Sequence, residues 1–214
     1  MDASKGRWNG VRCDLVKLAF SSNAFRKFPI EETIEILKEI GYDGIELMCD
    51  APHAWPPEVT PTKIESIRAA LQRNGMEISN LNAFMMCAYR DPRTGREGTF
   101  HWPSWIDADE VTRESRICHT VACVEMAAAL GAKTVSTEPG GPLEGRPRPE
   151  GYALFAKGLE RAGRRAAELG VTVLVEPEPE LLIERGDEFD EFMKGYVNFP
   201  GVALNFDMGH FFCV

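Results

Sequence analysis

The sequence has 214 residues, with 24 Lys and Arg against 33 Asp and Glu and a formal net charge of −9. Its 44% hydrophobic and 27% charged content excludes wholesale disorder and allows a single domain with a sizeable core. The acidic balance argues against nucleic acid or an anionic membrane as the partner, and no apolar run is long enough to span a bilayer.

Residues 1–16 mix charges throughout and lack the apolar stretch of a secretory signal. Six cysteines are scattered without a C-x-x-C pair: Cys13, Cys49, Cys87, Cys118, Cys123 and Cys213. Reduced, mostly buried thiols in a cytoplasmic protein are the expectation. Residues 15–21 (LVKLAFS) predict a strand and residues 30–40 (IEETIEILKEI) a helix. That helix carries Ile34, Leu37 and Ile40 on one face and acids in its first turn, where the macrodipole favours them. Gly41 closes it. The unit then repeats: strand 44–48, helix 62–73, strand 77–82, helix 109–130, strand 133–137, helix 151–169, strand 171–175, a shorter helix 187–194 and strand 202–206. The long connection 84–108 holds the aromatic string Phe100-His101-Trp102-Pro103-Ser104-Trp105. A connection of this length is functional or disordered, and the aromatics argue against disorder. Trp102 and Trp105 either pin it to the rim or contact a substrate.

Repeated βα units call for a parallel sheet with crossover helices. An open doubly wound sheet and a (β/α)8 barrel compete. No G-x-G-x-x-G follows the first strand, whereas Glu46, Asn82, Glu138, Glu176 and Asp207 recur at the C-terminal ends of strands. That placement favours the barrel. Six predicted strands fall short of eight, so the expectation is one α/β domain over 1–214. It is a (β/α)8 TIM-type barrel truncated at its C-terminus to about six βα units. No helix is expected after the last strand. The first and last strands are expected to leave open edges, with Leu204 and Phe206 poorly covered.

Glu176 ends an apolar strand and is followed by prolines, so the chain can continue neither helix nor ladder there. A carboxylate in that position must be paired, metal-bound or solvated in a cleft. Asp207 repeats the placement on the next strand, with His210 three residues on. Carboxylate and imidazole donors together suit Mn²⁺, Mg²⁺, Co²⁺ or Zn²⁺. The pattern predicts that Glu176 and Asp207 approach within the reach of one ion. His53 and His119 read as structural, and Glu178 and Glu180 as solvated loop acids.

Several segments carry a family resemblance: 31–47 (EETIEILKEIGYDGIEL), 127–133 (AAALGAK), Glu138-Pro139-Gly140 in place of a common His-Pro-Gly, Val175-Glu176, and 206–210 (FDMGH). Together they resemble the xylose isomerase-like TIM barrel superfamily of sugar isomerases and epimerases, which also includes inosose dehydratase and endonuclease IV-type enzymes. The resemblance implies one divalent metal held by four side chains, the first two being Glu176 and Asp207. It also implies that Glu176 exchanges a proton beside a substrate carbonyl through an enediolate, and that His210 touches substrate. Glu46, Glu138, Trp102 and Trp105 complete the expected substrate contacts. Glu138 replaces a histidine that ligates metal in the endonucleases, which with the acidic charge argues against DNA repair. The implied function is isomerisation or epimerisation of a small sugar, keto-sugar or polyol ketone. A dehydratase of the same fold and an inactive truncated barrel are the alternatives. A homo-oligomer is compatible with this reading.

Overall fold

The computed structural model describes residues 16–214. Leu15, Cys13 and the segment before them lie outside the described residues. Six parallel strands form one sheet in the order of the sequence: β1 Ala19–Ser21, β2 Gly44–Met48, β3 Glu77–Asn82, β4 Thr134–Thr137, β5 Thr172–Val175 and β6 Val202–Leu204. A doubly wound sheet reverses its strand order at a switch point. Here each strand pairs with its predecessor throughout. This is the connectivity of six successive βα units in a barrel wall. Among the described residues β1 and β6 are the two edges, and Phe20 and Phe206 are exposed there while Leu204 is half-buried.

The helices are α1 Ile30–Ile40, α2 Pro61–Asn74, α3 Glu110–Leu130, α4 Arg148–Leu169, α5 Gly186–Tyr196 and α6 Met208–Cys213. In α1, Ile30, Ile34 and Leu37 are fully buried, each stabilising the fold by about 1.5–3 kcal/mol. Gly41 and Gly170 end α1 and α4 at φ 111° and 67°, a region that costs a side chain about 1 kcal/mol or more. Trp105, Tyr152, Phe155 and Phe192 fill the space between the sheet and the α3–α5 layer. The Phe155 and Phe192 rings stack at 5.1 Å. α3 and α4 approach closely at Gly158, where a Cβ would lie 2.9 Å from Ile117 Cδ1.

Three expectations need correction. Strand β1 begins at Ala19, where the Leu18 N–H goes to the Asp43 carboxylate at 2.9 Å instead of to a neighbouring strand. The chain does form a helix after the last strand, α6, since the Asp207 carboxylate caps it. Among the described residues the cysteines are not mostly buried: Cys49 and Cys123 are, but Cys87, Cys118 and Cys213 are exposed, and these five are free. No helix of the described residues is long and apolar enough to cross a membrane.

Candidate metal centre

Parallel strands all deliver their last residues to one rim of the sheet. Thr137 pairs with Val175, and Val175 with Leu204. Glu138, Glu176 and Asn205 therefore stand at equivalent positions one step beyond three neighbouring strands. Below them, the buried Asn80 amide donates to Glu46 Oε2 at 3.0 Å and to Ser136 Oγ at 2.8 Å. This polar layer ties β2, β3 and β4 together beneath the rim.

Asp207 starts α6. Its Oδ1 accepts from the N–H groups of Gly209 at 2.6 Å and His210 at 3.0 Å, a capping arrangement in which the short side chain satisfies orphan donors. The turn brings His210 back over the rim, with Nδ1 3.0 Å from the Pro177 carbonyl oxygen. A carbonyl only accepts, so Nδ1 carries a proton, and in the neutral imidazole Nε2 is the nitrogen with the lone pair. Glu176, Asp207 and His210 each offer a donor atom within 4.8 Å of the other two, and all three are half-buried. Asn205 Nδ2 donates to Glu176 Oε2 at 2.7 Å.

Burial pushes the Glu176 carboxyl up, aided by the charges of Glu46 and Asp207 and opposed by the Asn205 hydrogen bond. Burial also pushes Asp207 up, but the backbone N–H groups of His210 and Gly209 outweigh it and hold the carboxyl below its ordinary value. Two carboxylates meeting in a half-buried site repel one another, and a divalent cation between them turns repulsion into attraction. Donors on one ion at ~2.0–2.2 Å are at most ~4.4 Å apart, so the observed envelope needs only small side-chain rotations. Two oxygens and one nitrogen at this rim fit a divalent metal.

Glu176 and His210 open into a cleft of about 180 Å³ shared with Asn82, Arg116, Glu138 and Glu178. The long connection contributes Phe84, Met85, Phe100 and His101 to its wall. That connection is ordered by Asp50, fully buried, whose carboxylate accepts from the N–H groups of Met86, Cys87 and Ala88 at 2.6–2.8 Å.

The structure does not bring the two tryptophans into this cleft. Trp105 is 0% exposed, its ring edge-on to Phe155 at 5.5 Å and its Nε1 donating to Thr137 Oγ1 at 3.0 Å. It pins the connection to the core, so the expected substrate contact is corrected to a packing role. Trp102 lines an outer groove, with Tyr89 on its edge and the Arg96 guanidinium 3.8 Å over its ring. Glu46 sits beneath the cleft on Asn80 rather than on its wall. Glu178, expected as a solvated acid, is half-buried on the cleft wall. His53 and His119 are buried and bonded to the Phe28 and Phe84 carbonyls, as structural histidines would be.

Glu138 and Arg116 are both buried, with side chains 8% and 7% exposed. Burial pushes the Glu138 carboxyl up to about 7, against the pull of the Arg116 charge. The sequence reading passed over Arg116. Its signal was there: on α3 the buried positions Thr112, Arg116, His119, Thr120 and Cys123 share one face. A guanidinium on a buried face requires a partner.

Comparison with known proteins adds the following. The family model of the xylose isomerase-like TIM barrel matches residues 34–214. An uncharacterized protein of Methanocaldococcus jannaschii is 22% identical over 196 residues, covering 90% of this chain and 66% of that protein. A D-psicose 3-epimerase solved in the presence of D-fructose superposes with a TM-score of 0.72 at 16% identity, covering 92% of this chain and 65% of that one. A xylose isomerase-like TIM barrel protein of Mycobacterium smegmatis, solved in complex with magnesium, gives 0.67 at 17% identity, covering 92% and 66%. The chain thus spans about two thirds of the length of these relatives.

Proposed function

The chain belongs to the xylose isomerase-like TIM barrel family, and on that premise we propose that it is a divalent-metal-dependent isomerase or epimerase of a small sugar, keto-sugar or polyol ketone. The observation that carries this reading is the convergence of Glu176, Asp207 and His210 donors within 4.8 Å at the strand-end rim. Glu176 and Asp207 would hold the ion. Once bound, it would act as a Lewis acid for the charge that builds on a substrate carbonyl oxygen. Glu176 is the proton acceptor for the carbon beside that carbonyl. Its burial raises its basicity, and the Asn205 amide holds Oε2 and so fixes the plane of the carboxylate. His210 presents Nε2 to a substrate hydroxyl, with the Pro177 carbonyl fixing the ring orientation. The aromatic wall of Phe84 and Phe100 shields the proton from bulk water. The five cysteines of the described residues are all free, which fits a reducing, cytoplasmic setting.

The test is incorporation of solvent deuterium into D-fructose and related ketoses, followed by NMR in the presence of Mn²⁺, with Mn²⁺ binding measured on the same sample. Metal binding with exchange at the carbon next to the carbonyl is the expected result. Absence of both across a panel of ketohexoses and ketopentoses would overturn the reading.

A further inference from the structure

On the β4 side of the same cleft, the Glu138 carboxylate faces the Arg116 guanidinium and the His101 ring without hydrogen-bonding to either. Oε1 lies 3.7 Å from Arg116 Nε, and Oε2 lies 3.9 Å from His101 Nδ1. Glu138 Oε1, Glu138 Oε2 and Arg116 Nε are all buried with no hydrogen bond of ordinary geometry among the described residues, the Trp105 backbone N–H being a donor that favours the carboxylate. Three orphaned polar atoms in one buried spot are uncommon, because proteins satisfy nearly all such groups. All three belong to residues that line the cleft also lined by Glu176 and His210. The orphans therefore lie just behind the cleft wall, where a small side-chain rotation would offer them to a ligand.

Their chemistry restricts that ligand. The carboxylate needs a donor and the Arg116 Nε–H needs an acceptor. A hydroxyl group supplies both at once. A carboxylate or phosphate oxygen supplies only the acceptor, leaves Glu138 unbonded and faces it as a like charge. An ammonium supplies only the donor. Above about pH 7, where Glu138 is ionised, it matches the Arg116 charge, and Glu178 adds a further acid on the wall. No uncompensated cation remains at this spot to attract an anion.

We propose that Glu138 and Arg116 form a hydroxyl-recognition pair that selects an uncharged ketose or polyol over counterparts bearing a carboxylate or phosphate. The proposal rests on reading the cleft as a sugar site and names the class of sugar it takes. Glu138 acts here as a specificity-determining residue, in the position where the resemblance led us to expect a histidine.

The experiment measures binding by calorimetry of D-fructose, D-fructuronate and D-fructose 6-phosphate to the protein at about pH 8.5, where Glu138 is ionised. The latter two carry a carboxylate or phosphate at C6. Wild type should bind D-fructose at least about tenfold more tightly than either anion, the scale of discrimination when buried polar groups are left unpaired. Glu138→Gln unmasks the Arg116 charge and should bring the ratio to about unity or invert it, while Mn²⁺ affinity is unchanged. The double variant E138Q/R116Q should lose the gained affinity for the anions. A wild type that binds neither class, or binds the anions as well as D-fructose, overturns the pair. So does a folded E138Q protein with an unchanged ratio. Should E138Q fail to fold by circular dichroism, the wild-type ratio alone decides. Loss of Mn²⁺ binding and deuterium exchange with the D-fructose preference intact would sink the metal-dependent reading and leave the pair standing. The reverse outcome would do the opposite.

Discussion

Asn205 Nδ2 lies 2.7 Å from Glu176 Oε2, an amide on the chain leaving β6 holding the carboxylate that ends β5. The bond ties together two neighbouring elements that both supply the candidate metal site. It fixes one Glu176 oxygen and leaves the other free of that bond. Groups that orient a ligand in this way are worth about 10–100-fold in metal affinity. Asn205→Ala should therefore weaken Mn²⁺ binding by about tenfold or more, with little change in melting temperature because Asn205 is only half-buried. Calorimetric titration with Mn²⁺ checks it. Unchanged affinity would mean that Glu176 needs no such support.

Glu176→Gln keeps the shape of the side chain and removes its charge and its basicity together. Deuterium exchange into a ketose should fall by at least ~100-fold, the scale of a lost general base. Mn²⁺ affinity should fall as well, and the far-ultraviolet circular dichroism should stay unchanged. Exchange and metal content are measured on one preparation. A near-normal rate with near-normal metal would remove Glu176 from its assigned role.

His210 and Asp207 lie in the same α6 turn, yet they are expected to fail differently. His210→Asn should impair ketose handling more than Mn²⁺ retention, because Asp207 and Glu176 remain to hold the ion. Asp207→Asn should lose Mn²⁺ first, and it also weakens the α6 cap that the Gly209 and His210 N–H groups complete. Equal loss of metal in both variants would make His210 a third ligand, as its place within the 4.8 Å envelope permits.

The βα alternation and the helix-closing glycines were legible because period, punctuation and burial all agree on them. Helix α1 falls where its apolar spacing puts it, Ile30–Ile40. The two carboxylates at the ends of β5 and β6 were legible too, since a strand end bearing an acid needs a reason. The aromatic connection was legible only as a choice. Trp102 and Trp105 are alike in sequence, and tertiary packing alone sends one to the core and the other to an outer groove. Arg116 was hidden because a single cation in a 21-residue helix carries no pattern of its own. Its meaning comes from Glu138, in the connection after β4 and distant in sequence. Helix α6 was missed because its cap residue, Asp207, read as a ligand, and one side chain can serve as both.

Trp105 provides a test of how the connection is held. Its ring is wholly buried against Phe155, and its Nε1 satisfies Thr137. Trp105→Ala should cost about 3–5 kcal/mol of unfolding free energy, as large aromatic truncations in cores do. Trp102→Ala, which removes a half-buried ring and the Arg96 contact, should cost only about 1 kcal/mol. Urea unfolding of both variants checks the contrast. Equal, small costs would mean that the connection is not pinned through Trp105.

Glu138 also predicts a pH dependence of stability. Its carboxyl is raised from an ordinary 4.5 to about 7, chiefly by burial, in surroundings that include Arg116, His101 and Glu178. An acid raised on folding binds its proton more tightly in the folded state. Its contribution is therefore full below about pH 4.5 and is lost as pH rises through about 7. Glu138→Gln cannot ionise, so it should remove this slope. Relative to wild type, the variant should gain stability between about pH 5 and pH 8, with a ceiling on the order of 3 kcal/mol. Urea unfolding of both proteins across that range measures the difference, in which the other carboxylates cancel. A difference that stays flat with pH, or grows in favour of wild type as pH rises, would show that Glu138 is ionised and satisfied throughout.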